Sequence, residues 1–328
     1  MFLLKNRPIR FIFFLLILAP FCSVVKGQSF TNNFRIMFYN VENLFDVHDN
    51  PLTSDEDFTP GGVRHWTYGH YYDKIHRIGK VISSLGGWQP PDLVGLCEVE
   101  NDSVVSHLCY RTSLRRYDYR YYVTKGNDPR GIDVALLYQR DRFNPIQMEQ
   151  KEIRFSQKKR RSRPLLHVAG EVLSGDTIDV LVVHLPSKYG GALETNEARK
   201  EAAQTLFSFC DSLQGARGQL SVIVMGDFND TPDKTNIPSS YINLFATAKG
   251  SHKYQGVWSQ LDQMIINRSL LRRLNKASVK VFRPSFLLKK DKTWRGNRPF
   301  RTYYGYSYEG GFSDHLPIMA DFDFSTVF

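Results

Sequence analysis

Apolar runs of strand length recur along this chain, and a polar side chain stands at one end of most of them. Phe34 to Tyr39 stops at Asn40, Leu93 to Cys97 at Glu98, and Ile178 to Val183 at His184. Ser221 to Met225 runs through Gly226 into Asp227 and Asn229. Two later runs are preceded by polar groups instead: Leu261-Asp262 before Gln263 to Ile266, and Ser313-Asp314-His315 before Leu316 to Phe322. Strand ends and the starts of antiparallel neighbours lie on one rim of a sheet. Six segments therefore converge on one cleft with two carboxamides, two imidazoles and four carboxylates.

Between the strands the apolar spacing changes to three and four. Ile75, Ile78, Val81, Ile82 and Leu85 predict one helix, closed by Gly86-Gly87. Ala198, Ala202, Leu206, Phe209, Cys210 and Leu213 predict another, entered through Thr195-Asn196, and a shorter one follows Asp102-Ser103. Many strands with few helices predict an α/β fold of two packed mixed sheets with helices outside. With 328 residues, 42% of them hydrophobic, and neither linker nor repeat beyond residue 30, residues 28–328 read as one domain. Cys97, Cys109 and Cys210 each sit in apolar segments and read as small core residues, with a Cys97–Cys109 bridge the alternative.

The N-terminus differs from the rest. Lys5, Arg7 and Arg10 precede the apolar run Phe11 to Ala19, and small residues follow near Gly27. This is the pattern of a secretory signal peptide over residues 1–27, and the run is shorter than the ~20 residues a membrane span needs. The mature chain is then expected outside the cytoplasm, secreted or periplasmic, without stable membrane insertion. Lipoprotein anchoring through Cys22 is disfavoured by the bulky Phe21 before it. Removing Lys5, Arg7, Arg10 and Lys26 lowers the net charge from +10 to about +6, which still favours an anionic partner.

The converging groups have a chemistry. Asn40, Glu98 and Asp314 offer hard oxygen ligands of the kind that hold Mg²⁺, Mn²⁺ or Ca²⁺. Asp227 and Asn229 point to the same side of an extended segment, one able to activate a water and the other to hydrogen-bond an electrophile. His315 with Asp262 can carry positive charge beside a phosphate oxygen or act as a base. Glu42 lies on the side of Asn40 and could add to the metal shell.

Six motifs occur in order: Phe-Tyr-Asn-Val-Glu-Asn at 38–43, Gly-Leu-Cys-Glu-Val-Glu-Asn at 95–101 and Val-His-Leu-Pro-Ser-Lys at 183–188 begin the series. Gly-Asp-Phe-Asn-Asp at 226–230, Ser-Gln-Leu-Asp at 259–262 and Phe-Ser-Asp-His-Leu-Pro at 312–317 complete it. Together they resemble the endonuclease/exonuclease/phosphatase superfamily with its deoxyribonuclease I-like fold, and are similar to its secreted bacterial nuclease-like members. The resemblance implies a four-layer α/β sandwich that hydrolyses phosphate esters with a divalent metal. It implies that Glu98 is the principal metal ligand, helped by Asn40 and Asp314. Asp227 then activates the water and Asn229 holds the scissile phosphate. His315 with Asp262 stabilises the transition state or shares the base role, and His184 contacts a phosphate oxygen or the leaving group. No covalent nucleophile is needed.

Substrate choice rests on weaker signals, since nucleases, inositol phosphatases and sphingomyelinases share this core. Arg130 is a candidate phosphate contact or one half of a solvent-exposed turn; Lys188 is a candidate backbone-phosphate contact, and Arg199 reads as the polar face of a helix. Two basic runs, Lys158 to Arg163 and the aromatic-rich Lys289 to Tyr304, favour nucleic acid as the partner. A phosphomonoesterase or phospholipase C-type enzyme is the alternative. Nothing in the sequence implies a protein partner.

Overall fold

The computed structural model describes residues 33–86, 89–157, 160–188, 191, 195–218 and 221–325. The expected leader, residues 1–27, lies outside them, as do Lys158 and Lys159 of the first basic run. Along the chain, β1 (Asn33–Leu44) leads into helix α1 (Tyr68–Ser84), β2 (Leu93–Val99), helix α2 (Asp102–Tyr110), β3 (Tyr119–Val123) and β4 (Asp133–Gln139). Then come β5 (Phe143–Lys151), β6 (Leu165–Val172), β7 (Thr177–His184), helix α3 (Asn196–Arg217) and β8 (Val222–Asp227). Short strands β9 (Tyr241–Asn243), β10 (His252–Tyr254) and β11 (Val257–Ser259) precede β12 (Asp262–Asn267) and β13 (Leu274–Val281). Four more, β14 (Leu288–Lys290), β15 (Asn297–Pro299), β16 (Tyr303–Tyr304) and β17 (Ser307–Tyr308), lead to β18 (Ile318–Asp323).

Side-chain alternation builds the layers. In β1, Met37, Tyr39 and Val41 join a core shared with α1 and α2, while Phe34, Ile36 and Phe38 face the other way. In β8, Val222 and Val224 pack on α3, while Ile223 and Met225 point inward. The inward sets of both strands meet in a third core made of sheet residues rather than of these helices. The result is the expected four-layer α/β sandwich: α1 and α2, a sheet, a second sheet, and α3. Gly95 on β2 marks how closely the sheets approach, for a Cβ there would lie 2.9 Å from Met225 Cε.

Each sheet has six strands, ordered β13-β18-β1-β2-β4-β3 and β5-β6-β7-β8-β12-β9. In the first, β1 and β2 are parallel and β18 runs antiparallel beside β1. In the second, β7 and β8 are parallel and β12 runs antiparallel beside β8. Each parallel pair ends at the same rim, and its antiparallel companion starts there.

Several details differ from the sequence reading. β1 does not stop at Asn40 but continues to Leu44 across an irregularity where Glu42 and Asn43 both take φ of +52°. β2 likewise breaks register at Glu98, with φ of +62°. Such bulges re-aim a side chain at the cost of local strain. Helix α1 starts at Tyr68, well before the apolar spacing signals it, because Thr67 caps it by accepting from the His70 N–H. Asn101 caps α2, accepting from Val104 N–H at 3.1 Å. Cys97, Cys109 and Cys210 are free and buried, as their apolar settings predict. Cys97 and Cys109 lie in different cores. Among the described residues no helix is long and apolar enough to cross a membrane.

Candidate active site

The two bulges and the ends of β7 and β8 bring Asn40, Glu98, His184 and Asp227 together. Asn40 is buried and donates from Nδ2 to Asp227 Oδ2 at 3.1 Å and to Glu98 Oε1 at 3.3 Å. Its Oδ1 accepts the Glu42 N–H at 2.9 Å. Asn40 thus offers the carboxylates a donor, and ligation by its oxygen requires turning the amide over. Glu98 Oε2 accepts the Asn43 N–H at 2.9 Å, leaving Oε1 with only the long Asn40 contact. His184 Nε2 sits 3.9 Å from Glu98 Oε1 and 3.8 Å from Asp227 Oδ2.

Asp227 links this group to the next. His315 Nε2 lies 3.7 Å from Asp227 Oδ2, and His315 Nδ1 donates to Asp262 Oδ2 at 2.7 Å. Ser251 also donates to Asp262 Oδ2, and Ser313 Oγ accepts the His315 N–H at 3.1 Å. Asn229, at φ of +51°, donates its N–H to Asp227 Oδ1 at 2.8 Å and its Nδ2 to the Leu185 carbonyl at 3.0 Å. The sequence pairing of His315 with Asp262 is therefore direct side-chain contact. Asn229, in contrast, lies past the end of β8, off the extended segment expected of it, and reaches Asp227 through its backbone N–H.

Burial and charge divide the two imidazoles. Burial, with Arg163 and Arg130 nearby, holds His184 well below the usual histidine range, so it is neutral. Burial also opposes a charge on His315, but Asp262 and Asp227 outweigh it and raise its pKa well above that range. Asp227 is pushed up to about 6 by burial, against the pull of His315. An acceptor near that value suits proton abstraction close to neutrality.

Asp314 stands beside this cluster with partners of its own. Arg301 donates from Nη2 to Asp314 Oδ2 at 2.8 Å and from Nε to Glu42 Oε1 at 3.3 Å. His252 Nε2 lies 3.9 Å from the same Asp314 oxygen. Although burial opposes it, Arg301, His315 and His252 hold Asp314 down at about 2. Glu42 also accepts the Thr302 N–H at 2.6 Å, so both of its carboxylate oxygens are engaged and it anchors Arg301. Arg301 and the buried Lys74, which donates to Thr302 Oγ1, carry no sequence signal tying them to the centre.

The other cations divide between loop anchors and surface. Arg130 is 42% exposed at its side chain and lies 3.5 Å from Asp128. Lys188 pairs with Asp230 at 3.1 Å. Arg199 is buried, not a polar helix face: it binds Asp230 at 2.6 Å and Thr195 Oγ1 at 2.7 Å, fixing the loop after Asn229. Arg163, the last cation of the first basic run, is buried too. It donates to Asp128 at 2.6 Å and to the His184 and Leu185 carbonyls at 2.7 and 2.8 Å. In the second run, Lys289 and Arg298 both pair with Glu309, at 3.1 and 2.6 Å. Arg163, Lys289, Arg298 and Arg301 are thus paired with carboxylates of the protein itself.

The donor set fits a hard divalent cation. Glu98 Oε1 is weakly committed, the buried Asp227 lies near it, and both are oxygen ligands of the type Mg²⁺, Mn²⁺ and Ca²⁺ take.

A four-layer sandwich carries these groups on one rim, and the family of phosphoric ester hydrolases it belongs to is shown by a family match. The family model described as Endonuclease/Exonuclease/phosphatase family matches residues 35–323, and the chain belongs to that family of metal-dependent enzymes. No curated protein matches the sequence. Among solved structures, truncated Caenorhabditis elegans TDP2 is 15% identical with a TM-score of 0.57, over 88% of this chain and 97% of its own. D. rerio TDP2 complexed with single strand DNA product is 14% identical, TM-score 0.53, over 88% and 98%. A Bacteroides thetaiotaomicron mannosyl-6-phosphatase is 14% identical, TM-score 0.54, over 88% and 99%. At such identities the likeness establishes the fold.

Proposed function

We propose that this chain is a divalent-metal-dependent phosphodiesterase that hydrolyses nucleic acid by attack of an activated water. The observation that carries it is the position of Asp227. One buried carboxylate meets Asn40 at 3.1 Å, His315 at 3.7 Å and His184 at 3.8 Å, with Asn229 fixing its other oxygen.

In this reading Asp227 takes the proton of the attacking water. The charged His315, steadied by Asp262, faces the charge that builds on the phosphate oxygens. The neutral His184 donates a hydrogen bond to a phosphate or leaving-group oxygen. Asn229 holds the scissile phosphate, its orientation fixed by the Leu185 carbonyl, and Arg130 and Lys188 contact substrate at the margins. A cation bound by Glu98, with Asn40 and Asp314 as further candidate ligands, adds charge neutralisation at the phosphate. Mg²⁺ is the first choice, with Mn²⁺ and Ca²⁺ as alternatives.

The D. rerio protein of the same fold holds a single strand DNA product, which supports a nucleic-acid substrate here by analogy. A second reading, sugar-phosphate hydrolysis, is favoured by a cavity of about 710 Å³ lined by Glu100, Asn101, Asp102 and Asp128 together with Lys125 and Arg161. Its amides and carboxylates suit hydroxyl groups, and its two cations suit a single phosphate. Assaying oligonucleotides against hexose phosphates with Mg²⁺, Mn²⁺ and EDTA decides between them; turnover of the sugar phosphates alone overturns the nuclease reading.

Glu98→Gln keeps the side-chain size and removes the charge, so turnover at limiting Mg²⁺ should collapse while the thermal midpoint changes little. Near wild-type turnover under those conditions would remove Glu98 from the role of principal ligand. We also propose that residues 1–27 are cleaved on export, leaving residues 28–328 as the enzyme. N-terminal sequencing of protein from its native host should start near Gln28 in an extracytoplasmic fraction. An intact Met1 in the cytosol would refute export.

A further inference from the structure

Trp294, Tyr254, Tyr304 and Arg298 line a cavity of about 330 Å³ that opens beside Arg301 and Asp314, at the edge of the catalytic cluster. The proposed chemistry uses none of those four side chains. The wall bearing Trp294 is firmly built. Asp291 Oδ1 accepts the N–H groups of Thr293 and Trp294 at 3.1 and 2.9 Å. Lys253 ties the same turn to β10, donating to Asp291 Oδ2 at 2.9 Å and to the Arg295 carbonyl at 2.8 Å. Arg295 and Gly296 close the turn with φ of +60° and +66°. The indole rests on Gly256, where a Cβ would come within 3.2 Å of Trp294 Cβ.

With its backbone anchored and one face supported, Trp294 is still 49% exposed. Tyr254 is 67% and Tyr304 42% exposed, and the Arg298 guanidinium lies 4.6 Å from the centre of the Tyr304 ring. Pre-ordered aromatic faces beside a site for phosphate are what unpaired bases stack on. The volume, at the small end of ligand sites, suits one planar group and not a duplex.

We propose that this cavity is a base-stacking subsite, seating one unpaired nucleobase of a single-stranded nucleic acid next to the scissile phosphate. The proposal rests on the nucleic-acid reading and adds to it the strand state and the residues that select it. Trp294 supplies the main stacking face, and Tyr254 and Tyr304 complete the lining. The larger cavity, lined by Glu100, Asp102 and Asp128 among others, has no aromatic side chain in its lining.

Binding is measured in the Asp227→Asn background, which keeps the oligomer intact. The probes are an oligothymidylate and an abasic deoxyribose-phosphate oligomer of equal length. The oligothymidylate should bind more tightly and quench tryptophan fluorescence. Trp294→Ala should weaken its binding by about tenfold to a hundredfold, the range for losing one stacked base. Trp294→Phe should restore most of the affinity, and the abasic oligomer should bind both variants equally. Equal affinity for the two oligomers, or an equal loss for both in Trp294→Ala, overturns the subsite. If the wild-type protein cleaves oligonucleotides despite such a result, the phosphodiesterase reading stands and only the subsite falls. If it cleaves none, both fall.

Discussion

Asp227→Asn is expected to lower turnover of a small phosphodiester by ~10²–10⁴-fold, the usual contribution of a general base. The substitution keeps size and shape but leaves nothing able to accept a proton near neutrality. Its effect should be nearly pure chemistry: Asp227 reaches the cleft from a strand whose other residues are locked between two cores. Circular dichroism and oligonucleotide affinity should therefore match the wild type. Turnover within threefold of wild type would show that another group takes the proton, with His315 the next to test. A loss shared equally by binding and turnover would instead mean that Asp227 only positions substrate.

The second large effect falls on stability. Arg163→Met should destabilise the fold by ~3–5 kcal/mol, because removing one member of a buried ion pair leaves Asp128 with only the looser contact to the exposed Arg130. Both partners are almost fully enclosed, with side-chain exposures of 3% for Arg163 and 6% for Asp128. The His184 and Leu185 carbonyls lose their donors as well. Denaturant titration should show a lower midpoint with an unchanged slope. Adding Asp128→Asn to the variant should recover part of the loss, since the poorly paired charge is then gone. A change below ~1 kcal/mol would mean that water replaces the guanidinium and that the loop bearing His184 needs no such clamp.

Arg163 also shows where sequence reading runs out. Within the run from Lys158 to Arg163 it looks like its neighbours, and only a distant Asp128 makes it an interior residue. Lys289, Arg298 and Arg301 stay partly exposed, yet each is paired with Glu309, Glu42 or Asp314 across loops that no local pattern joins. Arg199 has the spacing of an exposed helix side, yet Asp230 draws it inward. By contrast, the groups in contact around Asp227 are legible, because a buried strand that ends in a carboxylate or imidazole is a conspicuous break in an apolar run. The layers are legible for a related reason: alternation assigns each face of β1 and β8 to a separate core. The bulges at Glu42–Asn43 and Glu98 are not, since only Asn43 is of a type enriched at positive φ and glutamate carries no such mark.

The two sheets repeat one plan, a parallel pair followed by an antiparallel companion, and each repeat contributes only part of the centre. The first contributes Asn40, Glu98 and His315; the second contributes His184, Asp227 and Asp262. Neither half contains both an acceptor for the water's proton and the cation expected to oppose it. The centre is therefore a seam, and its competence is a property of alignment between halves, not of either one. Gly95 and Met225 mark, below the cleft, how closely the halves meet.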